Sequence, residues 1–231
     1  MNIHNIIQIM EREPEIYRML KGCPYHLLQQ WEIHSYTKGS MIGCQGEKQE
    51  YFYIIISGKV DIYIIAPNGK CYSQAIYEKG DYIGELELFD KLPYICSAKA
   101  IDDVLTFRIK RQYFLEWLEQ DHNINNHILQ TLCRKFYKLS LKAGEDILYP
   151  LRWRVCKYLL QIREEGKRTE QGIEVKVNKE KLSEKLAVTE RSINRILSSL
   201  RESGILDIRN NCILIKSVEK LEEDLKNSCY D

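Results

Sequence analysis

The sequence has 231 residues, with 34 Lys plus Arg against 33 Asp plus Glu and a formal net charge of +1. That length suggests two modest domains rather than one small one, and the balanced charge excludes a polybasic nucleic-acid coat while leaving room for a local basic face. A composition of 29% charged and 44% apolar residues reads as a soluble folded protein. The longest apolar runs, Tyr51–Ile56 and Ile62–Ala66, fall far short of the roughly 18 residues a membrane span needs. Met1–Met10 has no basic stretch ahead of an apolar one, so no secretory leader is expected and the cytoplasm is the expected compartment.

Asn5–Leu20 and Tyr25–Trp31 carry apolar residues at helical intervals, broken by Pro14 and by Gly22-Cys23-Pro24. From Ile33 to about Lys110 the pattern changes to short strands: Phe52–Ser57, Lys59–Ile65, Cys71–Tyr77, Tyr94–Ala100 and Val104–Lys110. Glycine turns separate them, and Asn68-Gly69 predicts a type I′ hairpin because both residues tolerate positive φ. Evenly spaced strands of this kind predict a sandwich or barrel.

Beyond Arg111 the period is helical. Asn125, Leu129, Leu132, Phe136, Leu139 and Ala143 alternate steps of four and three, the spacing of a coiled-coil seam. Asp121 to Lys142 lacks Pro and Gly, which favours a long helix facing a partner helix over one packed only on its own barrel. Ala143-Gly144-Glu145 reads as a helix stop or hinge. Leu151–Ile162 is a further amphipathic helix, followed by the polar loop Glu164–Gln171.

Lys179–Ser198 fits a twenty-residue helix-turn-helix template. Its buried positions hold Leu182, Leu186, Val188, Ile193 and Ile196; Ser183 is small where the helices cross, and Ala187 stands in the turn. Thr189 sits where an N-cap is wanted. Thr189, Glu190, Arg191, Ser192, Asn194 and Arg195 then lie near the start of the second helix, where base edges are read in the major groove. Asp207–Lys216 reads as a β-hairpin wing and adds Arg209 and Lys216 to the DNA-facing set. From Arg191 to Lys216 there are five basic and two acidic residues, a local excess on a nearly neutral chain.

Eight cysteines invite a metal or disulfide reading, but the closest pair, Cys212 and Cys229, is 17 residues apart. No CxxC or CxH pair exists, so no metal site is expected and most thiols read as small buried hydrophobes. The five histidines offer no nucleophile–base or His-x-x-x-His arrangement. No catalytic residue is assigned, an enzyme is not expected, and no cofactor follows from the sequence.

A glycine-punctuated β domain, a seam helix and a winged helix-turn-helix, in that order, resemble the cyclic-AMP receptor protein and fumarate–nitrate regulator (Crp/Fnr) superfamily of transcription regulators. The resemblance runs from about Leu27 onward. Its most specific stretch is Gly80–Phe89 followed by Cys96-Ser97-Ala98, similar to the family's phosphate-binding cassette; within the superfamily Ile83–Lys91 is nearest the YeiL-like regulators. It implies an α+β fold: a cyclic-nucleotide-binding-type β-barrel (jelly roll) over 1–120, a dimerisation helix and hinge over 121–144, and a winged helix-turn-helix over 145–231. It implies a homodimer joined through Leu129, Leu132, Phe136, Leu139 and Ala143, and a palindromic double-stranded DNA operator with half-sites about one helical turn apart. It places an effector cup at Gly84, Glu85, Leu86, Cys96, Ser97 and Ala98, with Phe136, Leu139 and Ser140 from the long helix. It also places Glu164–Gln171 where family activators touch RNA polymerase.

Two departures matter. Nucleotide-responsive members carry an Arg before the Ser-Ala pair, where this sequence has Cys96, and the loop Asp90–Ile95 is one residue longer. A neutral thiol cannot replace a bidentate guanidinium on a phosphate, so cyclic AMP is not the expected effector. The effector stays unidentified: a redox role of Cys96 with Cys71 or Cys133, a small anion or apolar molecule, or no ligand at all. In the reader, Arg191 stands where family members place Glu, so the operator is expected to differ from the best-known boxes. The competing reading is a ligand-binding module acting through protein partners, which would have no use for a helix-turn-helix and wing.

Overall fold

The computed structural model describes residues 3–48, 50–209 and 212–229. The chain forms two compact units, Met1–Lys135 and Phe136–Asp231.

The first unit opens with three short helices, α1 (Ile3–Arg12), α2 (Pro14–Leu20) and α3 (Tyr25–Leu28). Pro14 starts α2, where its missing N–H costs nothing. The strands β1 (Glu32–Tyr36), β2 (Met41–Gly43), β3 (Tyr51–Ser57), β4 (Val60–Ile65), β5 (Cys71–Tyr77) and β6 (Tyr82–Ile83) follow; then come α4 (Glu87–Asp90), β7 (Ser97–Ala100), β8 (Val104–Lys110) and α5 (Arg111–Gln120). They pair antiparallel into two four-stranded sheets, β1-β8-β3-β6 and β2-β7-β4-β5, the expected jelly-roll barrel. The unbroken apolar run of β3 has a simple cause. Side chains alternate along a strand, and here both faces are buried: Phe52, Ile54 and Ile56 join Trp31, Phe107 and Trp117 in one core, while Tyr53 and Ile55 join Val60, Ile62 and Ala98 in another.

Two local expectations are corrected. The β4–β5 turn is not type I′: Gly69 alone has positive φ (79°), Gly69 N–H donates to Ala66 O at 2.9 Å, and Ala66 N–H donates to Lys70 O at 2.9 Å. Pro67 fixes φ near −65° at the second position and so selects a type I turn closed by a left-handed glycine. The strand expected over Tyr94–Ala100 starts only at Ser97. Before it, Tyr94 exchanges backbone hydrogen bonds with Gly46 and Glu47, and Pro93 bridges Lys48.

The helix α6 (His122–Leu148) is continuous through Gly144, so the expected stop there is also corrected. A single glycine in a helix costs only about 1 kcal/mol, whereas the break comes at Tyr149-Pro150, where proline cannot continue the hydrogen-bond ladder.

The second unit continues with α7 (Leu151–Ile162), β9 (Lys167–Thr169), β10 (Gly172–Lys176), α8 (Lys179–Leu186), α9 (Glu190–Glu202), β11 (Leu206–Arg209), β12 (Cys212–Ile215) and α10 (Val218–Asn227). The strands form the sheet β11-β12-β10-β9. Glu164–Gln171, expected as a loop, contains most of a 3₁₀ turn (Arg163–Glu165) and all of β9. The wing tip at 210–211 lies outside the described residues. Arg152 fixes this unit from the centre: it grips Asp224 of α10 with two parallel hydrogen bonds at 2.8 and 2.6 Å, and donates to Ser199 Oγ of α9 at 2.8 Å.

Candidate DNA-reading helix and effector cup

Of the five buried positions anticipated for the helix-turn-helix, Leu182, Leu186 and Ile193 are buried and Val188 and Ile196 only partly so, while Leu197, outside that set, is fully buried. Leu182, Leu186, Ile193 and Leu197 are buried in one core with Val155, Leu159 and Leu206, and Val188 and Ile196 pack against its edge. Ser183 is buried at the crossing, its hydroxyl donating to Glu180 O at 2.8 Å. Ala187 turns the chain in the left-handed region (φ 54°, ψ 39°). Asn178 caps α8 and Thr189 caps α9, the latter accepting from Ser192 N–H at 3.2 Å. Thr189 and Ser192 also share a hydroxyl hydrogen bond of 3.0 Å, so both are occupied in starting the helix.

The cap leaves Glu190, Arg191 and Arg195 exposed and Asn194 half-buried on the outer face of α9. Among the described residues, neither arginine has an ion-pair or hydrogen-bond partner for its side chain. An exposed guanidinium with five free donors is well suited to guanine edges or phosphate oxygens. The wing residues differ in this respect. Arg209 donates to Gln171 Oε1 at 2.7 Å, and Lys216 lies 3.9 Å from Asp207, which also meets Arg201 at 3.8 Å.

Six of the nine residues expected at the cup, Gly84, Glu85, Leu86, Cys96, Ser97 and Ala98, lie on the first unit. Gly84 takes φ 98°, a conformation that suits glycine, and delivers Glu85 into the interior at 4% exposure. Leu86, the residue before α4, is by contrast 54% exposed. Ser97 and Ala98 are buried on β7, and Ser97 Oγ accepts from Gln45 N–H at 3.0 Å. Cys96 donates to Gln74 Oε1 at 3.1 Å. Burial, followed by the Glu87 carboxylate, pushes the Cys96 thiol up to about 11, so it is protonated at neutral pH and a poor nucleophile.

The residue that sequence reasoning missed is Lys135. Its ammonium lies 3.0 Å from Glu85 Oε1, and 4.0 and 4.6 Å from the ring centroids of Tyr77 and Tyr82. Burial pushes the Glu85 carboxyl above the usual carboxylate range, and Lys135 draws it back. On the ammonium, burial works against the charge, but Glu85 and Tyr77 outweigh it and hold Lys135 above its ordinary value. The two groups titrate as a pair, each proton affinity set by the other's charge. Sequence could signal Lys135 only as a charge next to the seam residue Phe136. Its partner is 50 positions away.

On α6, Ile124 and Ile128 are buried, and Leu132 packs against the same core. Leu129, Phe136 and Leu139 are 61, 72 and 39% exposed, and Ser140 and Ala143 are exposed as well. Phe136, Leu139 and Ser140 belong to the second unit.

The cyclic nucleotide-binding domain family matches residues 33–121, and the Crp-like helix-turn-helix domain family matches residues 154–224. The chain belongs to the Crp/Fnr family of transcription regulators. Among its Crp/Fnr relatives, the CRP-like cAMP-activated global transcriptional regulator of Mycobacterium tuberculosis is 26% identical over 198 residues, covering 84% of this chain and 88% of the relative. The cAMP-activated global transcriptional regulator CRP of Escherichia coli O157:H7 is 23% identical, covering 81% and 91%. In fold, the chain resembles the c-di-GMP-responsive global regulator CLP of Xanthomonas campestris, with a TM-score of 0.73 at 16% identity over 88% of this chain and 99% of that one. A CRP-family transcriptional regulator from Thermus thermophilus gives a TM-score of 0.64 at 22% identity, covering 84% and 96%.

Membership of the Crp/Fnr family makes the chain a DNA-binding, dimeric transcription regulator and not an enzyme. A module acting only through protein partners is not favoured. No helix among the described residues is long and apolar enough to cross a membrane.

Proposed function

We propose that this regulator binds a palindromic operator as a homodimer, with Arg191, Asn194 and Arg195 of each α9 reading bases and with Arg209 and Lys216 on the flanking backbone. In this division residues 1–120 sense, 121–144 dimerise and 145–231 read DNA. The observation that carries the reading is the pair of exposed, uncompensated guanidinium groups on the first turns of a capped helix. Arg195→Ala is expected to abolish selection of the operator over random DNA. Lys216→Ala, whose partner Asp207 is 3.9 Å away, is expected to weaken both complexes alike and to reduce the salt dependence. Gel shifts at several salt concentrations decide this, and unchanged sequence preference in Arg195→Ala would overturn it.

We further propose that the cup does not take cyclic AMP, although relatives are named for that activation. Cys96 stands in place of the arginine, and Glu85 is already engaged by Lys135. A saturating calorimetric titration with cyclic AMP at millimolar affinity or tighter would refute this. A high thiol pKa also weakens the redox reading of Cys96. Contact of the Glu164–Gln171 segment with RNA polymerase stands on the resemblance alone.

A further inference from the structure

On the first unit, away from the cup residues, a cleft of about 460 Å³ is lined by Lys48, Glu50, Lys91, Lys110, Arg111 and Gln112. Backbone contacts bring its walls together. Lys48 bridges Pro93, Arg111 N–H donates to Glu50 O at 2.8 Å, and the Arg111 guanidinium donates to the carbonyls of Leu88 and Phe89 in α4. Lys91 ends α4 in the left-handed region (φ 55°), which turns the chain at the cleft. Three chain segments therefore hold four cations around one carboxylate.

The charge there is only partly compensated. Among the described residues, the side chains of Lys48, Lys91 and Lys110 have no ion-pair or hydrogen-bond partner, and Arg111 is satisfied by neutral carbonyls. Among the described residues, some cations elsewhere on this unit are paired, Lys59 with Glu78, Lys79 with Glu13 and Arg108 with Glu32, and others, such as Lys21 and Lys70, are not; the cleft differs in gathering four of them at one place. The cleft also faces the start of the ten-residue helix α5, which has neither a side-chain cap nor an acidic residue in its first turn. A helix N-terminus carries partial positive charge and favours anions, yet Lys110 and Arg111 occupy its first positions. Like charges on a dipole end of the same sign repel, and a bound anion would relieve that repulsion.

We propose that this cleft is a binding site for a small molecule carrying two or more phosphate groups. The volume lies in the small-ligand range, and the side chains that line it are Lys, Arg, Gln and a single Glu, with no apolar residue to hold a peptide side chain. Multiple phosphates match several separated cations better than a single carboxylate does. Leu88 and Phe89, held by Arg111, follow Gly84–Leu86 after the single residue Glu87. An anion spanning Lys91 and Lys110 would thus brace the segment that forms the cup and give the regulator a second input.

The test uses the full-length protein and inorganic pyrophosphate and tripolyphosphate as probes, titrated calorimetrically at low and moderate salt. Saturable binding is expected, tighter for tripolyphosphate. The double substitution Lys91→Asn with Lys110→Gln should weaken it by about tenfold or more, and Glu50→Gln should tighten it severalfold. Because those changes run in opposite directions, misfolding cannot mimic both. Arg191→Ala with Arg195→Ala should leave probe affinity unchanged, which separates this site from the DNA-reading face. Absence of saturation at 10 mM probe (roughly the level at which binding ceases to matter) would overturn the proposal. So would loss of binding in the Arg191/Arg195 variant alone, or equal affinity for a phosphate-free hexaglutamate peptide.

Discussion

At Ala187 the backbone holds φ 54° and ψ 39°, a conformation that places a Cβ close to the following carbonyl. For a residue other than glycine this costs about 1–2 kcal/mol, partly offset by the lower entropy of alanine in the unfolded chain. Ala187→Gly is therefore expected to raise unfolding stability by about 0.5–1 kcal/mol without changing operator selection, measured by denaturant melts and gel shifts. The turn was legible in the sequence because the flanking apolar positions fixed its register. The strain was not, because a template tolerates alanine where the backbone prefers glycine. Lys135 poses the opposite problem. Removing it as Lys135→Met leaves the Glu85 carboxylate buried without a counter-charge, and about 3 kcal/mol of destabilisation is expected at pH 7. The sign of the pH dependence follows from Glu85, whose pKa is raised in the folded protein. A raised carboxyl binds its proton more readily folded than unfolded, so its contribution to stability is present at low pH and lost as pH rises through the folded pKa. Without Lys135 that pKa rises further. The gap between Lys135→Met and wild type should then narrow on acidification, and a gap that widens as the pH falls would exclude the pairing as its cause.

Elements with strong periodicity were readable; those whose side chains are all exposed or all polar were not. The apolar face of α6 and the double-sided burial of β3 each left a pattern in the chain. The edge strand β9 did not: Lys167, Arg168 and Thr169 are exposed, so the hydrogen bonds to β10 alone define it. Gly144 misled in the other direction, since glycine marks a stop only where a left-handed residue or a proline confirms it. In α6 it is an ordinary helical position, and a Cβ built there meets nothing within 4 Å. Gly144→Ala should consequently stabilise the protein by about 1 kcal/mol through helix propensity alone. If that residue served as a hinge for signalling, the same substitution would change the effector response. Thermal melts combined with operator titration separate the two outcomes.

At the scale of the whole molecule, the net charge of +1 conceals two locally basic regions, the outer face of α9 and the cleft at the start of α5. It conceals as well an apolar stripe on α6, with Leu129, Phe136 and Leu139 exposed at coiled-coil spacing. In a two-fold interface the same patch is used twice, so every side chain on the proposed seam is buried in two copies. Fully burying a large apolar side chain contributes about 1.5–3 kcal/mol, and only the exposed fractions of these three remain to be buried, so in two copies they provide about 5–10 kcal/mol before other contacts. Association itself costs about 4–15 kcal/mol, which leaves a close balance that one badly placed charge per subunit can tip. Phe136→Glu brings two carboxylates into the seam, each to be desolvated beside the other. It is expected to sediment as a monomer at concentrations where wild type is a dimer, with helical content by circular dichroism unchanged. Since a palindrome is bound tightly only when both half-sites are engaged together, operator affinity should collapse to that of one half-site. Exposed positions off the seam provide the control: Lys138→Glu lies on the same helix and should remain dimeric. A Phe136→Glu protein that stays dimeric would place the interface elsewhere.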